Sequence, residues 1–149
     1  MYKQILVAID GSPHSERALS HAIGLADGLS ATLRIVHVID TGWLGLGMEL
    51  GIDTVQMSQA HREAGEKLLQ DARATAQVAG LEAEIRLVEM GAPADHVAAN
   101  IAKEAADWPA DLVVLGTHGR RGLERMLLGS VAESMARLSP VPVLLIPSR

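Results

Sequence analysis

Residues Asp111 to Ser134 run DLVVLGTHGRRGLERMLLGSVAES, an apolar segment that opens into glycines and then turns helical. Leu112-Val113-Val114-Leu115 is short and rich in β-branched residues, the pattern of a strand buried on both faces. The pattern breaks at Gly116 into the loop Gly116-Thr117-His118-Gly119-Arg120-Arg121-Gly122. It resumes as a helix, with Leu127-Leu128 ahead of Gly129-Ser130-Val131-Ala132. Strand, glycines, helix is a way to build an anion site. Glycine lets backbone N–H groups approach a phosphate because no Cβ intervenes. A helix N-terminus supplies unpaired donors and the positive end of the dipole. Ser130 adds a hydroxyl, and Arg120 and Arg121 add positive charge, either as phosphate partners or as solvated loop residues.

Outward from this stretch, the chain alternates. Ile5 to Ile9 (ILVAI) predicts a buried strand, broken by Asp10-Gly11-Ser12-Pro13. Ser12 suits an N-cap, Pro13 the first helical position, and Glu16 stands near the capping-box place. Ala18, Leu19, Ala22, Ile23 and Ala26 then recur at helical spacing up to Gly28. Ala31 to Ile39 (ATLRIVHVI) completes a strand–helix–strand unit of about 35 residues, whose strands should be parallel. Asp40 to Val55 is glycine-rich, with Trp43, Leu44, Leu46, Met48 and Leu50 among Gly42, Gly45, Gly47 and Gly51, and reads as a mobile apolar loop. Gln56 to Ala79 predicts a long helix with a small-residue face of Ala60, Ala64, Leu68, Ala72, Ala76 and Ala79. Glu63 and Lys67 would pair on its outside, and Gly80 would stop it.

Glu82 to Val88 alternates as a half-exposed edge strand would. Gly91-Ala92-Pro93 starts another helix, ended by Trp108-Pro109. Val141 to Ile146 is the last strand, between Pro140 and Pro147. The alternation implies one doubly wound parallel sheet of five strands spanning residues 1–149 as a single domain. Ligands of such sheets bind beyond the carboxyl ends of the strands, where the strand order reverses. With the first strand central, Asp10 and Gly116 would face each other across that crevice.

Composition narrows the function. A chain of 149 residues can bury about two-thirds of its unfolded surface. Without Phe, and with two Trp and one Tyr, the core must be packed from aliphatic residues and Met. The absence of Cys excludes disulfides, thiol catalysis and thiolate metal sites. Met1-Tyr2-Lys3-Gln4 leads directly into a strand without a signal-peptide pattern, and no apolar run approaches the roughly 20 residues of a membrane helix. A soluble, cytoplasmic protein without a membrane partner is expected. The net charge of −5 argues against nucleic acid.

Taken together, these features resemble the universal stress protein family. That family's nucleotide pattern, G-x2-G-x9-G-[S/T], falls on Gly116, Gly119, Gly129 and Ser130 without a gap. The likeness extends to Val7-Ala8-Ile9-Asp10-Gly11-Ser12, Val36-His37-Val38, Gly91-Ala92-Pro93 and Pro142-Val143-Leu144-Leu145-Ile146-Pro147, and so covers essentially the whole chain. It implies a Rossmann-like α/β fold, strand order 3-2-1-4-5, helices on both faces, and a homodimer through the last strand, Val141 to Ile146. It also implies the ATP-binding branch. By that mapping, Ala8, Ile9, Asp10 and Val38 hold adenine and ribose. Leu115, Gly116, His118, Gly119, Arg121, Gly129, Ser130, Val131 and Ala132 line the phosphate side, with Mg²⁺ or Mn²⁺ on the phosphates and Ser130 as a further metal contact. Ala132 departs from the family, since ATP-binding relatives often carry Thr there and its hydroxyl is missing here.

Plainer readings stand beside these. Asp10 suits a turn or helix cap as well as a ribose contact, and Ser12 suits a cap. His37 suits a satisfied strand residue. The histidines at 14, 21, 37, 61, 96 and 118 show neither HExxH nor another metal spacing. Neither GxxxxGK[ST] nor GxSxG is present. With no catalytic constellation evident, the expectation is a nucleotide-binding regulatory, stress-response protein with slow or no hydrolysis and an unidentified protein partner. The alternatives are a slow metal-dependent ATPase, and an interaction module using the apolar segment 42–51.

Overall fold

The computed structural model describes residues 1–41, 44–90, 96–119 and 128–148. Arg120, Arg121 and Arg125, Gly91-Ala92-Pro93, and Gly42 and Trp43 lie outside the described residues. The elements in order are β1 (Gln4–Ala8), α1 (Pro13–Leu29), β2 (Thr32–Ile39), α2 (Leu44–Glu49), α3 (Thr54–Val78), β3 (Ala83–Glu89), α4 (Val97–Asp107), β4 (Leu112–Gly116), α5 (Ser130–Leu138) and β5 (Val143–Ile146). The five strands form one sheet of order β3-β2-β1-β4-β5, all pairs parallel. Strand order reverses between β1 and β4, as expected of a doubly wound α/β sheet.

Alternation within β1 explains why its sequence is continuously apolar. Ile5 and Val7 face a core shared with α1 and α3, whereas Leu6 faces a second core shared with α4 and α5. Both faces are covered, so the buried positions Ile5, Leu6 and Val7 are all apolar, and the one polar residue, Gln4, stands at the strand's start. The two edges differ. β3 carries exposed Glu84, Arg86 and Glu89, whereas β5 is Val-Leu-Leu-Ile with Leu144 40% exposed.

Several expectations are corrected. The segment 40–55 is not simply a loop: α2 occupies Leu44–Glu49, and Gly51 closes it with φ +70°. The amides of Leu50 and Ile52 donate to the carbonyls of Leu46 and Gly47 (3.0 and 2.9 Å), which holds this short turn despite its glycines. The buried face of α3 is Gly65, Leu69, Ala72 and Ala76, while Ala60, Ala64 and Ala79 are exposed. A stripe spaced every four residues drifts around a helix of 3.6 residues per turn, so the alternating steps of four and three win.

Lys67 pairs with Asp71 at 2.8 Å instead of with Glu63. That bond, with the attraction of the Asp71 carboxylate, raises the Lys67 pKa. α1 runs past Gly28 to Leu29 and is capped by Ser30 in the left-handed region, φ 52°. α4 begins at Val97, and β5 begins at Val143, two residues after the expected start.

Some cohesion comes from groups far apart in sequence. Arg34 on β2 bonds Glu84 on β3 and Glu104 on α4, both at 2.7 Å, and its guanidinium lies 4.7 Å from the Trp108 ring centroid. Glu104 is 8% exposed, and burial of that carboxylate is tolerated because Arg34 and Arg86 flank it.

Candidate functional site

The crevice begins where β1 ends. The Ile9 amide still donates to the Val36 carbonyl (2.9 Å), so the strand's path is held one residue past Ala8. The chain then turns through Asp10, whose Oδ1 accepts from the Ser12 amide at 2.9 Å. Gly11 takes φ +82°, a conformation that favours glycine. Ser12 caps α1 by accepting the Ser15 amide (3.2 Å), and the Ser15 hydroxyl donates to the Ser12 carbonyl (3.0 Å) and accepts from the Asp10 amide (3.3 Å). Ser15, not Glu16, therefore closes the cap. Asp10 is a turn residue through one oxygen. Its other oxygen, Oδ2, lies 2.9 Å from where a Cβ on Gly119 would stand. The exits of β1 and β4 thus meet.

β4 leaves the sheet at Gly116, and the Thr117 amide donates to the Ile146 carbonyl of β5 at 3.0 Å. A Cβ on Gly116 would lie 3.0 Å from the His14 carbonyl oxygen, so the first turn of α1 rests on the end of β4. Gly129 donates its amide to the Thr117 carbonyl at 2.6 Å, and its own added Cβ would stand 2.9 Å from that oxygen. Extended at φ −68°, ψ 159°, Gly129 is the N-cap of α5 and, as glycine, offers that terminus no side chain of its own. First-turn N–H groups of a helix lack intrahelical partners, so α5 presents donors where the glycine loop returns. Ser130 is exposed at that terminus, Val131 half-buried and Ala132 buried.

At the strand ends, Ile9 after β1, Val38 on β2 and Leu115 on β4 are 6%, 8% and 4% exposed. These side chains belong to the core, so what they offer a ligand is backbone. Ala8, Gly116, His118 and Gly119 are half-buried at the rim. His37 bonds the Ile9 carbonyl through Nδ1 at 2.8 Å, so Nδ1 carries the proton. Helix α3 comes close behind that ring: a Cβ on Gly65 would lie 3.1 Å from His37 Cδ2 and 2.9 Å from Leu87 Cδ1. The Thr117 hydroxyl and His118 Nδ1 are 3.1 Å apart. Among the described residues no group of three His, Asp or Glu side chains is arranged to hold a metal ion.

The structure therefore brings together Asp10, Gly116, His118, Gly119, Gly129 and Ser130, and Arg121 lies outside the described residues. Sequence reasoning missed Ser15, Gly65 and His14. A mid-helix glycine is the one available signal among these, since it costs helix stability and so suggests a close contact.

A five-stranded doubly wound sheet with a glycine-lined crevice at its switch point defines a Rossmann-like α/β protein. The model of the universal stress protein family matches residues 1–147, and the chain belongs to that family. It is 35% identical over 147 residues to a universal stress protein of Methanocaldococcus jannaschii, covering 98% of this chain and 82% of that one. A crystal structure of a family member from Burkholderia pseudomallei superposes with TM-score 0.77 at 36% identity, covering 98% and 96% of the two chains. Another, a universal stress protein in complex with cAMP, superposes with TM-score 0.70 at 30% identity over 99% and 98%. Among the described residues no helix is long and apolar enough to cross a membrane.

Proposed function

We propose that this protein binds ATP in the β1–β4 crevice and acts as a nucleotide-dependent regulatory homodimer with slow or no hydrolysis. The observation that carries this reading is the close backbone packing at Gly116, Gly119 and Gly129, where any Cβ would meet backbone or the Asp10 carboxylate. Such packing keeps side chains out of the space in which amides can face phosphate oxygens. The cAMP complex of a relative 30% identical supports a purine nucleotide as ligand.

In this reading the backbone of Ala8, Ile9 and Val38 borders the base, and the Asp10 carboxylate takes the ribose. The loop Gly116–Gly119 and the start of α5 at Gly129, Ser130 and Val131 cradle the phosphates. Mg²⁺ or Mn²⁺ enters on the phosphates, with the Ser130 hydroxyl in its shell.

The test is to denature freshly purified protein and identify released nucleotide by chromatography, with Gly119→Ala as control. Stoichiometric ATP or ADP, lost in the control, is expected. If none is released, added Mg-ATP at a hundredfold excess over its Kd should stabilise by about 2.7 kcal/mol in a thermal melt. Protein that releases no nucleotide and shows no such shift overturns the reading.

The dimer rests on the contrast between the two edges. β3 is guarded by charges, whereas β5 presents an apolar edge with Leu144 exposed, and an unguarded edge favours strand pairing. Light scattering should give a dimer mass that falls to a monomer in Leu144→Lys. A monomeric unmodified protein refutes the pairing.

A further inference from the structure

The first turn of α1 delivers to the crevice a side chain that the glycine pattern does not contain. His14 follows the Ser12 cap, and its ring centroid lies 5.9 Å from that of His118, the planes tilted by 53°. The two histidines come from opposite exits, one after β1 and one after β4, and both are half-buried. Neither position is loosely held. Two bonds donated by Ser15 to Ser12, from its amide and its hydroxyl, fix the turn that carries His14, and the His14 carbonyl rests on Gly116. His118 lies between Gly116 and Gly119 with its Nδ1 at the Thr117 hydroxyl. The Asp10 carboxylate faces Gly119 from the β1 side.

We propose that His14 is a second imidazole of this site, and that with His118 it grips the distal phosphates of a nucleotide and so sets a preference for ATP over AMP. The inference rests on the nucleotide reading of the crevice. The chemistry follows from placement. A pair tilted by 53° at this separation is not face-to-face stacked, so neither ring covers the other's face. Each neutral imidazole has one N–H donor, and each protonated ring has two. Hydrogen bonds to a polyphosphate are charge-assisted, and rings that meet the distal phosphates make contacts that AMP, which lacks those phosphates, does not supply. A capped helix turn holds His14 in place before the ligand arrives, so little ordering is needed on binding.

The experiment measures Mg-ATP, Mg-ADP and AMP affinity by calorimetry for the unmodified protein, His14→Ala and His14→Gln, with Gly119→Ala alongside. Expected is a loss of about tenfold or more in ATP affinity in His14→Ala, the size of one charge-assisted bond, with AMP affected far less. His14→Gln, which keeps a donor, should recover part of the ATP affinity and serves if His14→Ala folds poorly. Equal weakening of ATP and AMP, or no weakening in a protein whose ATP binding needs Gly119, overturns the role of His14 and leaves the nucleotide reading intact. An unmodified protein that binds none of the three nucleotides overturns both.

Discussion

Gly116, the last residue of β4, and Gly129 beyond it stand against backbone: an added Cβ would lie 3.0 Å from the His14 carbonyl oxygen in one case and 2.9 Å from the Thr117 carbonyl oxygen in the other. Gly45 and Gly51, between β2 and α3, have nothing within 4 Å of theirs. By count of glycines the two segments look alike. What separates them is crowding. After β4, the missing side chain is a space that two other segments already use. Between β2 and α3, Gly45 and Gly51 are exposed, on a turn whose Leu46, Met48 and Leu50 are 59%, 72% and 66% exposed, and Gly47 is the one described glycine there that is buried. Glycine density thus marks where a chain bends or thins, and contact marks where the thinning is used.

The largest effect that comparison predicts is at Gly129. The oxygen that a new Cβ would strike also accepts the Gly129 amide, at 2.6 Å, so the backbone cannot move away without losing that bond. Gly129→Ala should cost about 1–3 kcal/mol, the range for forcing a group into a filled site. In a chain of this size, that lowers the melting temperature by about 2–4 °C for each kcal/mol. Because the same shift moves the start of α5, Mg-ATP affinity should fall more than the melt does. Calorimetry and a thermal melt on one preparation decide it. Unchanged values in both would mean that crowding after β4 is incidental.

What was legible in the sequence follows the same physics. β4 and most of β1 announced themselves because a strand covered on both faces is apolar along its buried length, β2 kept enough β-branched residues around Arg34 and His37 to read as a strand, and the glycines after β4 lie where the β1 and β4 exits meet. The family resemblance, carried by those landmarks, holds over residues 1–147. α2 was not legible, since a six-residue helix containing two glycines has neither a periodic face nor the propensity to signal itself. The inward face of α3 was misread because alanine is equally at home buried or exposed, and the close contact that settles the face is made at Gly65, against His37 and Leu87. The Arg34–Glu84–Glu104 cluster and the His14–His118 pair were invisible for another reason. They join residues 50, 70 and 104 positions apart, and no local pattern marks either end.

The smallest effect, and the sharpest check on the comparison, is Gly45→Ala. Gly45 is exposed in the first turn of α2, with nothing within 4 Å of an added Cβ. The substitution adds no clash. It narrows the unfolded chain's freedom and improves helix propensity, a gain of about 0.5–1 kcal/mol at a compatible site. A melt should therefore rise by a few degrees at most, about 2–4 °C per kcal/mol, with Mg-ATP affinity unchanged. A rise with unaltered binding would mean the glycines of this turn serve only to let the chain reverse after β2. A loss of affinity in Gly45→Ala, with the melt intact, would break the comparison. It would mean that α2 works as part of the crevice through the flexibility of its glycines, and that contact alone does not identify where this chain uses them.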